Sequence, residues 1–140
     1  MENSEPIGFF LQVCNTPKMF VGSDRYEAVC AFLNGYDTAV GGGALRGFRE
    51  FLLCQGSAWT NLPWWSLVRS LATPGADLSE EVAEREAAAV TQALSTQLST
   101  YSERLSQGGL GRIYWDYAIW LSARTDRESQ RIYRNLVGRE

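Results

Sequence analysis

The sequence predicts an all-α, single-domain bundle of about five to six helices spanning residues 1–140. Apolar residues recur at spacings of three and four through most of the chain. Glycine, proline and capping-type residues fall between those segments, and almost nothing alternates with the period of a strand. An apolar share of 45% against a charged share of 21% is enough for a packed core.

Taken in order, Ile7, Phe10, Leu11 and Cys14 form a helical stripe. Ile7, Phe9, Leu11 and Val13 suit a strand equally, so a short N-terminal hairpin is the alternative there. Pro17 and Gly22 then break the chain. Asp24 followed by Glu27 has the capping-box spacing and opens a helix that carries Tyr26, Val29, Cys30, Leu33, Tyr36 and Val40. Gly35 lies inside it at a cost of about 1 kcal/mol, which suggests close approach by a neighbouring helix.

A second helix near 44–54 turns Leu45, Phe48 and Leu52 inward, with Gly47 as a further packing position. Asn61 is the expected cap of a third, with Pro63 in its first turn and Trp64, Leu67, Val68 and Leu71 as its stripe. Thr73-Pro74-Gly75 ends it.

The longest helix is expected over 79–106, opened by Asp77 or Ser79, with Glu80, Glu81 and Glu84 favoured by the helix dipole. Its inner stripe reads Val82, Glu86, Ala89, Ala93, Leu94, Leu98, Tyr101 and Leu105, and Gly108-Gly109 stops it. The final segment carries Ile113, Tyr117, Trp120 and Leu121, then Ile132, Tyr133 and Leu136. A second capping-box pattern, Thr125 with Glu128, marks either a break or one continuous helix.

Composition narrows function. The chain has no histidine, which removes the usual general base near neutral pH, the histidine-activated nucleophiles and the commonest metal ligand. Lys18 is the only lysine, so no enzyme, cofactor or metal site is expected. The three cysteines lie far apart in apolar runs and read as buried reduced thiols of a cytoplasmic protein. The acidic N-terminus lacks the pattern of a signal peptide, and no run reaches the length of a membrane span. The net charge of −3 argues against nucleic acid or an anionic membrane as partner. It hides an asymmetry, since residues 1–106 carry seven basic and twelve acidic side chains, and 107–140 carry six arginines and four acidic groups.

The triple glycine Gly41–Gly43 matches neither nucleotide fingerprint. Arg46 stands where G-x-G-x-x-G needs glycine, and Phe48-Arg49 stands where a P-loop needs Lys-Ser/Thr. It reads as a hinge between helices, the alternative being an anion site made by free amides beside Arg46.

Five tryptophans are many for this length. Trp65 points about 100° away from the stripe that holds Trp64, and Trp115 lies off the Ile113–Tyr117–Trp120 face. Both either pack under loops or flanking helices or stand exposed as anchors of a protein interface. Arg124, Arg127, Arg131 and Arg134 recur at spacings of 3, 4 and 3, a solvated face or a patch for an acidic partner. Asp37, Glu50 and Asp116 lie in apolar context with arginines within a helical turn.

TPKMFVGS (16–23), AFLNGYDTA (31–39) and GFREFLL (47–53) resemble small bacterial proteins with an R-P-x-M-Y-[IL]-G-like turn followed by F-[IL]-x-G-Y and F-x-x-[FW]. Thr16 departs from that pattern, which has arginine there. The resemblance covers about the first half of the chain and implies an immunity-type role, the binding and neutralising of a toxin. The sequence thus predicts a non-catalytic protein-binding module. Its expected contacts are Trp65 and Trp115, with Asp37, Glu50, Arg46, Arg127, Arg131 and Arg134 supplying charge. The alternatives are an anion-binding helical domain using Gly41–Gly43 and Arg46, or a homo-oligomer that buries its own tryptophans.

Overall fold

The computed structural model describes residues 4–138. It is all-helical, with eight helices and no strand among the described residues: α1 (Ser4–Asn15), α2 (Pro17–Val21), α3 (Tyr26–Ala39), α4 (Phe48–Leu53), α5 (Trp64–Ala72), α6 (Glu84–Ser106), α7 (Gly109–Ser122) and α8 (Arg127–Val137). The fold class is as expected and the helix count is higher. The N-terminal segment is helical, burying Ile7, Phe10 and Val13 at helical spacing. The breaks at Pro17 and Gly22 turn out to bound α2, with proline in its first turn and Gly22 left-handed at its C-cap. The last segment divides into α7 and α8.

The long helix α6 is the axis, packed against α1, α3, α4, α5 and α7, while α8 rests on α7. Its inner face consists of Ala87, Val90, Thr91, Leu94, Leu98 and Tyr101. Leu94, Leu98 and Tyr101 lie inward as expected, but toward the N-terminus the face turns, for Ala89 is exposed while Ala87 and Val90 are buried. The core joins these residues to Phe48, Leu52 and Leu53 of α4, Trp64 of α5 and Ile113, Tyr117 and Leu121 of α7. Phe48 lies at its centre, its ring 5.2 Å from that of Tyr101 and 5.7 Å from that of Trp64. Burying a side chain of this size contributes about 1.5–3 kcal/mol.

Three expected caps are not used. The N-caps of α3, α5 and α6 are Arg25, Pro63 and Ala83, none with a side-chain hydrogen bond. Asp24 pairs instead with Lys18 at 3.4 Å, and Glu27 reaches across the molecule to the amide of Val82 at 2.8 Å. Asp77 folds into a local turn, accepting from the Ser79 amide at 3.0 Å. At α8 the break falls where expected, but Asp126 caps it rather than Thr125, accepting from the Ser129 amide at 2.9 Å.

Segment 77–83, expected to begin the longest helix, is drawn out of it by long-range contacts. Arg69 donates to the carbonyls of Glu80 and Glu81, and Arg25 pairs with Glu81 at 2.6 Å. Glu84 and Glu86 therefore take the first-turn positions that favour negative charge.

Candidate functional site

The glycine joint is a hinge with an internal anion. Gly41 and Gly42 have φ of 109° and 74°, a region that residues with a Cβ rarely adopt, and the Gly42 amide closes α3 on the carbonyl of Asp37 at 2.6 Å. Asp37, expected as a charge for a partner, is only 8% exposed, and its Oδ1 accepts the Ala44 amide at 2.8 Å. The Arg46 amide donates to the carbonyl of Gly43 at 3.4 Å. Four of the loop's amides, those of Gly41, Gly42, Ala44 and Arg46, are thus committed to the chain's own carboxylate and carbonyl groups, and α4 beyond it is only six residues long. Gly47, also left-handed, makes the close approach expected of it against α6 and α7, whereas Gly35 has no neighbour within 4 Å of where a Cβ would stand.

The tryptophans divide into two sets. Three direct their indole N–H groups inward: Trp59 to the Tyr117 hydroxyl at 2.9 Å, Trp64 to Asn34 Oδ1 at 3.0 Å and Trp120 to the Gly56 carbonyl at 3.3 Å. Arg49 and Arg124 lie over the rings of Trp59 and Trp120. Trp65 and Trp115, the two placed off their helical stripes by sequence, are 40% and 63% exposed. Ile119, one turn beyond Trp115, is 52% exposed, so α7 presents two large apolar side chains outward, between exposed Arg112 and Ser122, while its inner face is buried in the core.

The remaining charges are dispersed. Glu50 is half-buried on α4, and its negative charge, after burial, is the second cause that holds the Tyr114 hydroxyl above its usual range. Arg46 is exposed beside the hinge, and its carbonyl accepts from the Tyr101 hydroxyl. Asp116 is held by Arg104 at 2.7 Å and Arg112 at 3.3 Å. Along α8, Arg131 pairs with Glu128, and Asp126 takes Arg124 at 3.1 Å. Arg127 and Arg134 are exposed and form no ion pair among the described residues.

The structure adds a cleft that sequence reasoning missed. It holds about 370 Å³ between α3, α5 and the segment before α6. Tyr26 and Cys30 line it from α3, Trp65 and Arg69 from α5, and Glu80 and Glu81 from the facing segment. The Tyr26 hydroxyl donates to the Trp65 carbonyl at 2.6 Å and ties the two helices together. Glu27 also lines the cleft. One of its carboxylate oxygens accepts from Val82, and the other is buried without a hydrogen-bond partner. Burial pushes the Cys30 thiol up to about 12, so it is a neutral wall residue at physiological pH. The sequence signals here were the off-stripe position of Trp65 and the Asp24–Glu27 spacing, which also describes a capping box.

No described helix is long and apolar enough to cross a membrane, and no group of three or more potential metal-ligating side chains forms among the described residues. In comparisons with known proteins, no family model, curated protein or solved structure matches this chain.

Proposed function

We propose that the chain is a non-catalytic protein-binding module of the immunity type, which docks on a toxin or effector protein and neutralises it. The observation that carries this reading is the outer face of α7, where Trp115 and Ile119 stand exposed one turn apart on a helix whose other face is locked in the core. A tryptophan on a rigid helix gives up little conformational freedom on docking and brings about 150–250 Å² of contact surface, the usual character of an interface anchor. Arg127 and Arg134 on the adjoining α8 give this end a positive field, so the matching partner surface is acidic. Asp37 has no part in that contact, being occupied at the hinge. The non-catalytic reading rests on the absence of histidine and on a single lysine, Lys18.

Co-expression with the product of the adjacent gene tests the proposal. A stable complex is expected, together with protection of the host from that product, and Trp115→Ala should weaken both at unchanged folding. The absence of both complex and protection would overturn it. Elution of the chain alone as a dimer that Trp115→Ala dissociates would replace it with self-association.

A further inference from the structure

We propose that the cleft between α3, α5 and segment 77–83 is a binding site for an organic cation, an alkylammonium or guanidinium group, with Trp65 as its aromatic wall and Glu27 as its counter-charge. The site is distinct from the outer face of α7, and the inference does not depend on that face being an interface.

Four observations converge on it. The volume of about 370 Å³ is at the lower end of the range that accepts small ligands, enough for an amine or guanidinium on a short aliphatic stem. The wall is aromatic and fixed in orientation: Trp65 stands edge-to-face against Trp64 with ring centres 5.5 Å apart, while its own carbonyl is held by Tyr26. A ring held in this way, still 40% exposed, offers a π-surface to a cation without first having to be ordered.

The charge of the lining is negative and incompletely answered. Glu27, Glu80 and Glu81 face one arginine, Arg69, whose guanidinium points at the backbone carbonyls of Glu80 and Glu81. Arg25 answers Glu81, whereas Glu80 has no ion pair among the described residues. Beneath the surface of the cleft, Glu27 receives a single hydrogen bond, from Val82, and its second oxygen has no donor. A carboxylate in that condition is stabilised by any cation brought close to it, more strongly than the same charge in open water. An anion would meet three carboxylates, and a neutral apolar ligand would leave Glu27 as it is.

Two sources supply this chemistry, a free polyamine-like metabolite or a basic side chain on a protein, and the test separates them. The whole chain is titrated calorimetrically with agmatine, which carries both cationic groups, with an arginine-containing hexapeptide blocked at both ends, and with N-acetylglutamate as the anionic control. Saturable binding of agmatine or the peptide is expected, with none of N-acetylglutamate. Tighter binding of agmatine marks a free cation as the source, and tighter binding of the peptide marks a protein side chain.

Glu27→Gln should weaken the preferred probe by about tenfold or more, since it removes the charge and keeps an amide oxygen for Val82. Glu80→Gln, at an exposed position, should weaken it less, and Trp65→Leu should weaken it while abolishing the accompanying change in tryptophan fluorescence. If Glu27→Gln fails to fold, Glu80→Gln and Trp65→Leu decide the matter, since Glu80 is exposed and leucine keeps apolar bulk beside Trp64. No saturable binding of either cationic probe, or binding that these substitutions leave unchanged, overturns the inference.

Discussion

Two glycines that look alike in sequence should respond oppositely to alanine. At Gly47 a Cβ would stand 2.9 Å from Leu110 Cδ2, 3.2 Å from the Tyr101 hydroxyl and 3.3 Å from Ile113 Cγ2, at a φ of +88°. The left-handed backbone alone costs an alanine about 1–2 kcal/mol. Overpacking adds about 1–3 kcal/mol, toward the low end because the tip of Leu110 can rotate away. Tyr101 has less freedom, its hydroxyl being bonded to the Arg46 carbonyl. The sum is about 3 kcal/mol for Gly47→Ala. With about 2.1 cal/mol/K of unfolding entropy per residue over 140 residues, that lowers Tm by about 10 °C. Gly35 has nothing within 4 Å and lies inside α3 with an ordinary φ, so Gly35→Ala should raise stability by about 0.5–1 kcal/mol. Thermal and urea unfolding followed by far-ultraviolet circular dichroism measure both. A Gly47→Ala protein melting within about 2 °C of the wild type would refute the close approach of α4 to α7 from which the cost was worked.

Asp37→Ala should cost about 1–3 kcal/mol in urea unfolding, because the buried Ala44 amide loses its acceptor, and Asp37→Asn should recover most of that through its amide oxygen. Asp126→Ala should lower stability and speed hydrogen exchange at the amide of Ser129 and the first turn of α8. Burial raises the thiols of Cys14 and Cys30 from 9.0 to about 12, and that of Cys54 from 9.0 to about 11. The folded state therefore favours the protonated thiol. Its contribution to stability is complete below about pH 9 and is lost as pH rises toward 11–12, which unfolding titrated against pH will show. The same shifts make all three thiols slow to react with a disulfide reagent at pH 8, Cys54 being the first to do so.

How far the sequence could be read depends on whether a feature is local. The apolar stripes around Leu33, Trp64 and Leu98 lie on one turn-to-turn surface each, so period alone located their helices. The same geometry set Trp65 and Trp115 about 100° off their stripes, but it could not say whether they are covered, for Leu53 stands as far from Leu52 and both are buried. Helix starts were less legible, because capping competes with tertiary bonding for the same side chains. Glu27 has the spacing of a capping-box member, yet the Val82 amide, which no local pattern foretells, claims its carboxylate. The cleft was illegible for the same reason, since its walls come from three segments that meet only when Arg69 and Arg25 hold the 77–83 segment against α3 and α5. Gly35 and Gly47 differ solely in what stands opposite them, which again is tertiary.

The surplus of tryptophan resolves along the same line. An indole buried at the expense of its N–H must find an acceptor, and Trp59, Trp64 and Trp120 each have one in the tyrosine, asparagine and carbonyl groups around the core. Those three close the fold and would be costly to truncate, by about 3–5 kcal/mol for Trp64→Ala. Trp65 and Trp115 are the most exposed of the five, and their surroundings differ: Trp65 lines the cleft with Glu27, Glu80 and Glu81, and Trp115 stands on α7, the helix on which the arginine-bearing α8 rests. A single acidic partner cannot satisfy both. With an acidic partner proposed for α7 and a cation proposed for the cleft, truncating Trp115 should leave agmatine binding intact, and truncating Trp65 should leave docking of an acidic partner on α7 intact. Loss of both activities from either substitution would mean that the two sites are parts of one surface.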